Sequence, residues 1–413
     1  MTLDTLRSGL DRFCSRTARE DLDHAGKAAW LSPSVELDRE HADLFSAAVL
    51  GEIRSMEGLS AWGRQRWFRF IADGVGRLAA AGQRAKLANL LRRIRPSARE
   101  EAAPRLDEDL ARLAGEAAAA ARAATPPYRS AGGAGEEAAG RGARELAARG
   151  EDLERMTREI APSAAAAPGA LDRAVFSTLW HRVVEALGFL RAGDGRVEIQ
   201  NAPVTGAFAL QVPRRIVLLL PSRAVLASSR QVLSAIGISL AWSHMPARLA
   251  EEDRLLPGDP GPLVYGELFA RRLLEPAWRG DQRLSAAGLD RRTVRAAGAG
   301  RLLRLARAAI GGGPAGRDFS GVAWSWTVNP LLAAVSGLPS APALLAAARL
   351  AAALDEYLKT RFGRAWNDVR RAGNLLRDLW SEGWRRPTAE LLSSLGAAAP
   401  EWEMLIDELD TCR

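Results

Sequence analysis

Four histidines are the only imidazoles in this chain of 413 residues: His24, His41, His181 and His244. No two of them stand four residues apart, so the H-E-x-x-H pattern, which sets two metal ligands and a general base on one helical face, is absent. No Gly-x-Ser-x-Gly elbow is present to expose a nucleophilic serine. The run GGGPAG (311–316) lacks the Lys-Ser/Thr of a phosphate loop and does not follow a strand, so it reads as a turn. GDGR (193–196) reads as a turn before a strand rather than a calcium loop. Cys14 and Cys412 stand near opposite ends and cannot supply a cysteine-based metal cluster or a disulfide framework. Asp and Glu are mostly interleaved with arginine, as in RELAARGEDLERMTRE (144–159), the pattern of solvated helix faces with i,i+4 pairs. The residues by themselves carry no recognisable catalytic constellation.

The elements that would position such residues are mainly helical. In LDREHADLFSAAVLGEIRSM (37–56), Leu37, His41, Leu44, Phe45, Ala48 and Ile53 form a stripe near helical period. Trp67, Phe70, Ile71, Val75, Leu78, Leu87 and Leu90 continue it through 64–94, and residues 1–123 read as an N-terminal helical region. ATPPYRSAGGAGEEAAGRGA (124–143) is the one low-complexity break, a flexible linker or a pair of eroded helices, with the linker favoured by Pro126-Pro127. Residues 144–413 form a helical region with a small sheet. GRVEIQNAP, GAFALQVP and RRIVLLLPS (195–222) predict a small antiparallel β-meander. The apolar segment LSAIGISLAWSHM (233–245) follows it, then PLVYGELFARRLLEPAW (262–278) and a helical tail. His181 and His244 read as packing or surface residues. No internal repeat is evident.

Composition narrows the partners. Hydrophobic residues make up 47%, which marks a globular chain. A net charge of +8 would suit nucleic acid, but only Lys27, Lys86 and Lys359 are lysines among 57 basic residues. A GC-rich genome makes that substitution without selection for phosphate, and the arginines are spread among acids, which argues against nucleic acid. No segment approaches the roughly 20 apolar residues of a bilayer span, and the start lacks a signal-peptide core. The expectation is a cytoplasmic protein with no membrane partner.

The order of helices, small sheet, helix, turn, helix and helical tail resembles the oligoendopeptidase F and thimet oligopeptidase family of zinc peptidases. The resemblance is carried by ELDREHADLFS (36–46), AFALQVPRRIVLLL (207–220), LFARRLLEPAW (268–278) and YLKTRFGRAWNDVRRAGNLLRDLWSEG (357–383), and it is weak at 96–170. It is most specific in the tail, at Phe362, Gly363, Trp366, Ala372, Gly373, Leu379 and Trp380. It implies a large two-lobed, mainly α fold. It also implies a zinc ion held by H-E-x-x-H on the helix after the sheet and by a glutamate from the next helix.

Aligned on Gly237, the two histidine positions of that family fall on Ser234 and Ile238, and the general-base glutamate on Ala235. The third ligand's position falls on Leu263, with Glu267 one helical turn away. The family's late tyrosines fall on Ala341 and Leu345, and the whole chain holds only Tyr128, Tyr265 and Tyr357. The resemblance therefore implies a scaffold without its zinc motif, with no catalytic residues and no cofactor. Three functions follow as expectations. The first is a catalytically inactive homologue that binds peptides or regulates an active paralogue. The second is a metallopeptidase with a relocated site using His181, His244 and an acid. The third is a basic adaptor for nucleic acid. The first is preferred.

Overall fold

The computed structural model describes residues 2–26, 35–83, 85–86, isolated positions between 112 and 124, 133–158, 171–189, 196–202, 205–220, 223–224, 226–257, 260–281, 291–310, 341–397 and 400–411. The turn expected at 311–316, together with Leu87, Leu90 and Tyr128, lies outside them, as do residues 193–195 of the turn expected at 193–196.

The N-terminal helices are α1 (Leu3–Gly26), α2 (Val35–Glu40), α3 (Ala47–Ser55) and α4 (Ala61–Ala79). Leu6, Leu10 and Phe13 fall on one face of α1 and bury against Leu44, Phe45, Leu50, Ile53, Trp67 and Ile71. The stripe read over 37–56 is carried by two helices with a break at 41–46, where the Ser46 hydroxyl accepts from Val49 N at 3.3 Å and starts the second. Helices α5 (Gly133–Ala148) and α6 (Gly150–Arg158) follow. Residues 133–143 of the stretch expected as a flexible linker or eroded helices fall within α5; residues 125–132 lie outside the described residues.

A two-residue strand β1 (Leu171–Asp172) pairs with β5 (Arg223–Ala224), and α7 (Arg173–Ala186) lies between β1 and the main sheet in sequence. The main sheet holds β2 (Val197–Asn201), β3 (Gly206–Gln211) and β4 (Arg215–Leu220). Here the expectation of an antiparallel meander is corrected. The order is β2-β4-β3, with β4 antiparallel to β3 but parallel to β2. The reason lies in the residues. Ile216 to Leu220 are all buried, and a strand apolar on both faces belongs in the middle of a sheet. Glu198 and Asn201 leave β2 half-solvated, as an edge tolerates. Ile216, Leu218 and Leu220 face the main core, while Val217 and Leu219 pack with Leu210 towards Ala18 and Leu22 of α1.

The chain continues through α8 (Leu226–Ser243), the short α9 (Glu251–Leu255), α10 (Gly261–Ala270), a 3-10 turn (Arg271–Leu274), α11 (Pro276–Asp281), α12 (Arg291–Ala309), α13 (Ala341–Phe362), α14 (Arg370–Ser381), α15 (Thr388–Ser394) and α16 (Trp402–Thr411). The main core joins α7, β4, α8, α10, α13 and α14. A second core joins α5, α6, α12, α13 and α16 through Leu146, Leu153, Leu303, Leu345, Trp402 and Leu409.

Helix α9 fastens the N-terminal helices to this body. Arg7 donates to both Glu252 carboxylate oxygens at 2.8 and 2.6 Å. Arg66 donates to Asp253 Oδ1 at 2.6 Å, to the Leu256 carbonyl at 2.9 Å and to the Glu252 carbonyl. From the other side, the Trp384 amide and indole donate to the carbonyls of Asp253 and Arg254 at 2.8 and 3.1 Å.

Candidate functional site

Helix α8 is buried on most sides, through Val232, Leu233, Ile236, Leu240 and Ala241, as a helix apolar on most of its faces must be. Helix α10 begins with proline in its first turn and is buried from Val264 to Ala270. The two cross almost without side chains between them. A Cβ on Gly237 would overlap the Tyr265 carbonyl oxygen and stand 2.8 Å from the Phe269 ring. A Cβ on Gly266 would stand 2.5 Å from Ser234 Oγ and 3.1 Å from Ile238 Cγ1. Each helix supplies one glycine at the point where the other's backbone approaches, the arrangement that lets helices approach below their ordinary spacing.

The sequence-derived positions are therefore partly gathered. Ser234 and Ile238 share the face of α8 that meets α10, and Ala235 beside them is buried. On α10 the residue that faces both is Gly266 rather than Leu263, the position expected for the third ligand. Leu263 instead packs at the junction of the two cores. Leu345 is fully buried in the second core, and Ala341 opens α13.

Glu267, the carboxylate next to the crossing, is 4% exposed and already bound. Arg230 of α8 donates to its Oε2, and Arg301 of α12 donates to its Oε1. Burial, with the charges of Arg230 and Arg304, lowers the Arg301 guanidinium to about 10 in spite of Glu267. The carboxylate is thus an anchor for three helices.

The histidines are dispersed. His181 is exposed on α7. His244 packs between Phe189 and Trp380, with ring centroids 4.7 and 5.4 Å away, and its Nδ1 lies 2.9 Å from the Leu240 carbonyl. His41 meets Phe13 edge-on at 5.5 Å. His24 belongs to α1. Tyr265 is buried, which raises its hydroxyl pKa, and Tyr357 lies 3.1 Å from Arg361 Nη1 through its hydroxyl.

A zinc ion does not fit these residues. The crossing offers a hydroxyl, a methyl, an isoleucine and a glycine where imidazoles and a carboxylate would be needed, and the neighbouring carboxylate is spent on two guanidiniums. Among the described residues no group of three or more His, Cys, Asp or Glu side chains stands where it could share a metal ion.

Sequence reasoning missed a second polar centre. Asp355 of α13 is 2% exposed. It accepts from Trp366 Nε1 at 2.8 Å and meets Lys359 at 2.8 Å, Arg272 at 3.5 Å and Arg271 at 3.7 Å. Lys359 also meets Glu275 at 2.6 Å, and Arg271 pairs with Glu408. Burial pushes the Asp355 carboxyl up, but Arg271, Lys359 and Arg272 outweigh it and hold it below its ordinary value. This balanced cluster joins α13 to the 3-10 turn and α16. Only the i,i+4 spacing of Asp355 and Lys359 was visible in advance.

No family model matches this chain, and no curated protein does. Solved structures do. The M32 carboxypeptidase from Deinococcus radiodurans R1 superposes with a TM-score of 0.58 at 15% identity, over 99% of each chain. The Pyrococcus furiosus carboxypeptidase superposes with the same score at 12% identity, over 99% of this chain and 98% of that one. At such identity the likeness is one of fold. It carries the coarser part of the expectation and does not point to the oligoendopeptidase F and thimet oligopeptidase family. The chain has a mainly helical, metallopeptidase-like fold similar to that of M32 carboxypeptidases.

Proposed function

We propose that this chain is a non-catalytic relative of the metallopeptidases whose fold it shares, acting in the cytoplasm as a peptide- or protein-binding or regulatory subunit. The observation that carries this reading is the glycine-to-glycine crossing of α8 and α10, with Ser234 and Ile238 against Gly266. A catalytic zinc needs three protein ligands and an open position for water. Here the corresponding faces are in van der Waals contact and carry no imidazole. The fold similarity over nearly the whole chain supports a retained scaffold, and the proposed peptide binding would use a groove kept on that scaffold without its metal.

A relocated metal site built on His181 and His244 is the competing reading. The ring packing of His244 and its Nδ1 contact with a helix carbonyl favour a structural role for it. Metal analysis of the purified chain together with a quenched-fluorescence peptide library separates the two. The proposal expects no stoichiometric zinc and no chelator-sensitive cleavage, with peptide capture detectable by pull-down. One zinc per chain with cleavage abolished by chelator would sink it.

A further inference from the structure

A cavity of about 200 Å³ opens where α1, α9 and the turn between β3 and β4 meet. Asp11 of α1 lines it, with Gln211, Val212 and Arg214 of the turn and Glu251 and Arg254 of α9. Arg254 holds these parts in place. Its Nε donates to the Leu249 carbonyl at 3.0 Å, its Nη2 to Glu251 Oε1 at 3.1 Å, and its Nη1 to the Val212 carbonyl. Arg7 fastens α1 to α9 through Glu252, and Asp11 follows one turn later on the same face.

The remaining charged groups of the lining are not spent. Among the described residues, Asp11 and Arg214 take part in no hydrogen bond or ion pair, with each other or with any other side chain. The Gln211 amide is likewise without a partner there. Asp11 is half-buried and Arg214 is exposed at the turn. Glu251 is matched by Arg254, so a guest meets one unengaged charge of each sign. An acid and a base that line one space without meeting are both satisfied by a molecule that carries both opposite charges.

We propose that this cavity binds a free amino acid as its zwitterion, with the ammonium on Asp11 and the carboxylate on Arg214. A carboxylate accepts readily from an ammonium, and a guanidinium fork matches a carboxylate. The size agrees. A water molecule takes about 30 Å³ of liquid, so the space suits a small amino acid rather than a peptide. The Gln211 amide, both donor and acceptor, can serve a polar side chain. The guest joins α1 to the β3–β4 turn beside α9 and so stabilises the folded chain. No residue of the α8–α10 crossing lines the cavity, so this site and the loss of zinc can fail separately.

Isothermal titration of the full chain tests it, with glycine and L-serine as probes and with acetate and ethylamine as the two halves of a zwitterion. Saturable binding of one amino acid per chain is expected, with a Tm that rises with its concentration. Acetate and ethylamine should not saturate over the same range. Asp11→Asn and Arg214→Ala should each weaken binding about tenfold or more, since each removes a charge-assisted contact. Arg214 is exposed on a turn, so its variant carries the test if Asp11→Asn does not fold. Failure of both amino acids to saturate, an affinity indifferent to Arg214→Ala, or acetate binding as well as glycine overturns the proposal.

Discussion

Gly237 and Tyr265 stand backbone to backbone: a single methyl on the glycine would occupy the place of the tyrosine's carbonyl oxygen. The helix that would carry a zinc motif and the helix that would complete it are joined by that contact, so their separation is fixed by main chain rather than by adaptable side chains.

Gly237→Ala therefore pushes the two helices apart. Overpacking of this kind costs about 1–3 kcal/mol, and urea denaturation should show a loss in that range or above. Gly51 supplies the opposite sign. It lies in α3 with nothing within 4 Å of a Cβ, so Gly51→Ala should gain about 0.5–1 kcal/mol through a less flexible unfolded chain. Equal effects at both positions would mean that the crossing is looser than described.

Stability should fall in acid, partly through Glu252. Burial raises its carboxyl pKa, but the Arg7 hydrogen bonds and the charges of Arg7 and Arg66 outweigh this and hold it below its ordinary value of 4.5. A carboxylate lowered on folding contributes stability that is fully present above its unfolded pKa and lost as pH falls through the folded one. Melting curves from pH 7 to pH 3 should drop below about pH 4.5. Glu252→Gln should flatten that drop and lower stability at pH 7 by about 1–3 kcal/mol.

Asp355→Asn removes the anion shared by Arg271, Arg272 and Lys359. Breaking a buried pair from one side costs about 3–5 kcal/mol, because the partner charges stay behind. Calorimetry should record a large fall in Tm, and Trp366 fluorescence should change because Asp355 accepts from its indole. Trp366→Phe should cost less, since it removes one donor and leaves the ion pairs in place.

His244→Phe separates a packed ring from a ligand. It keeps the stack with Phe189 and Trp380 and loses the Nδ1 contacts with the Leu240 carbonyl and the Ser243 hydroxyl. A net hydrogen bond is worth about 0.5–1.5 kcal/mol, so the chain should fold with a modest loss. Metal content measured before and after should be unchanged; zinc that vanished with the ring would support the relocated-site reading instead.

How far the sequence led depends on the range of each contact. The helical stripes were legible because their signal repeats within one turn; Leu376 and Trp380 of the tail are buried as their spacing implied. Strand order was not, since pairing β2 with β4 rather than β3 is a tertiary choice, although the unbroken run RIVLLL already marked a strand covered on both faces. Which α10 residue meets Ser234 and Ile238 was not legible either, because alignment on a distant family fixes a helix only to within its period. Gly266, an isolated glycine in an apolar helical run, held the better clue. The partners of Glu267 were beyond reach: Arg230 and Arg301 are 37 and 34 residues away from it in sequence. In a chain so rich in arginine, nothing local distinguished those two.

Helix α9 has only five residues, yet it is also the covalent tether between the two helices of the crossing. Arginines from α1 and α4 hold its acids on one side, and a tryptophan amide and indole hold its carbonyls on the other. The amino-terminal helices are thus a splint strapped across that tether. A chain shorn of them would leave the acids of α9 without Arg7 and Arg66 and the tether slack. Damage done near residue 7 or 66 would first be felt some two hundred positions later, where α8 leans on α10.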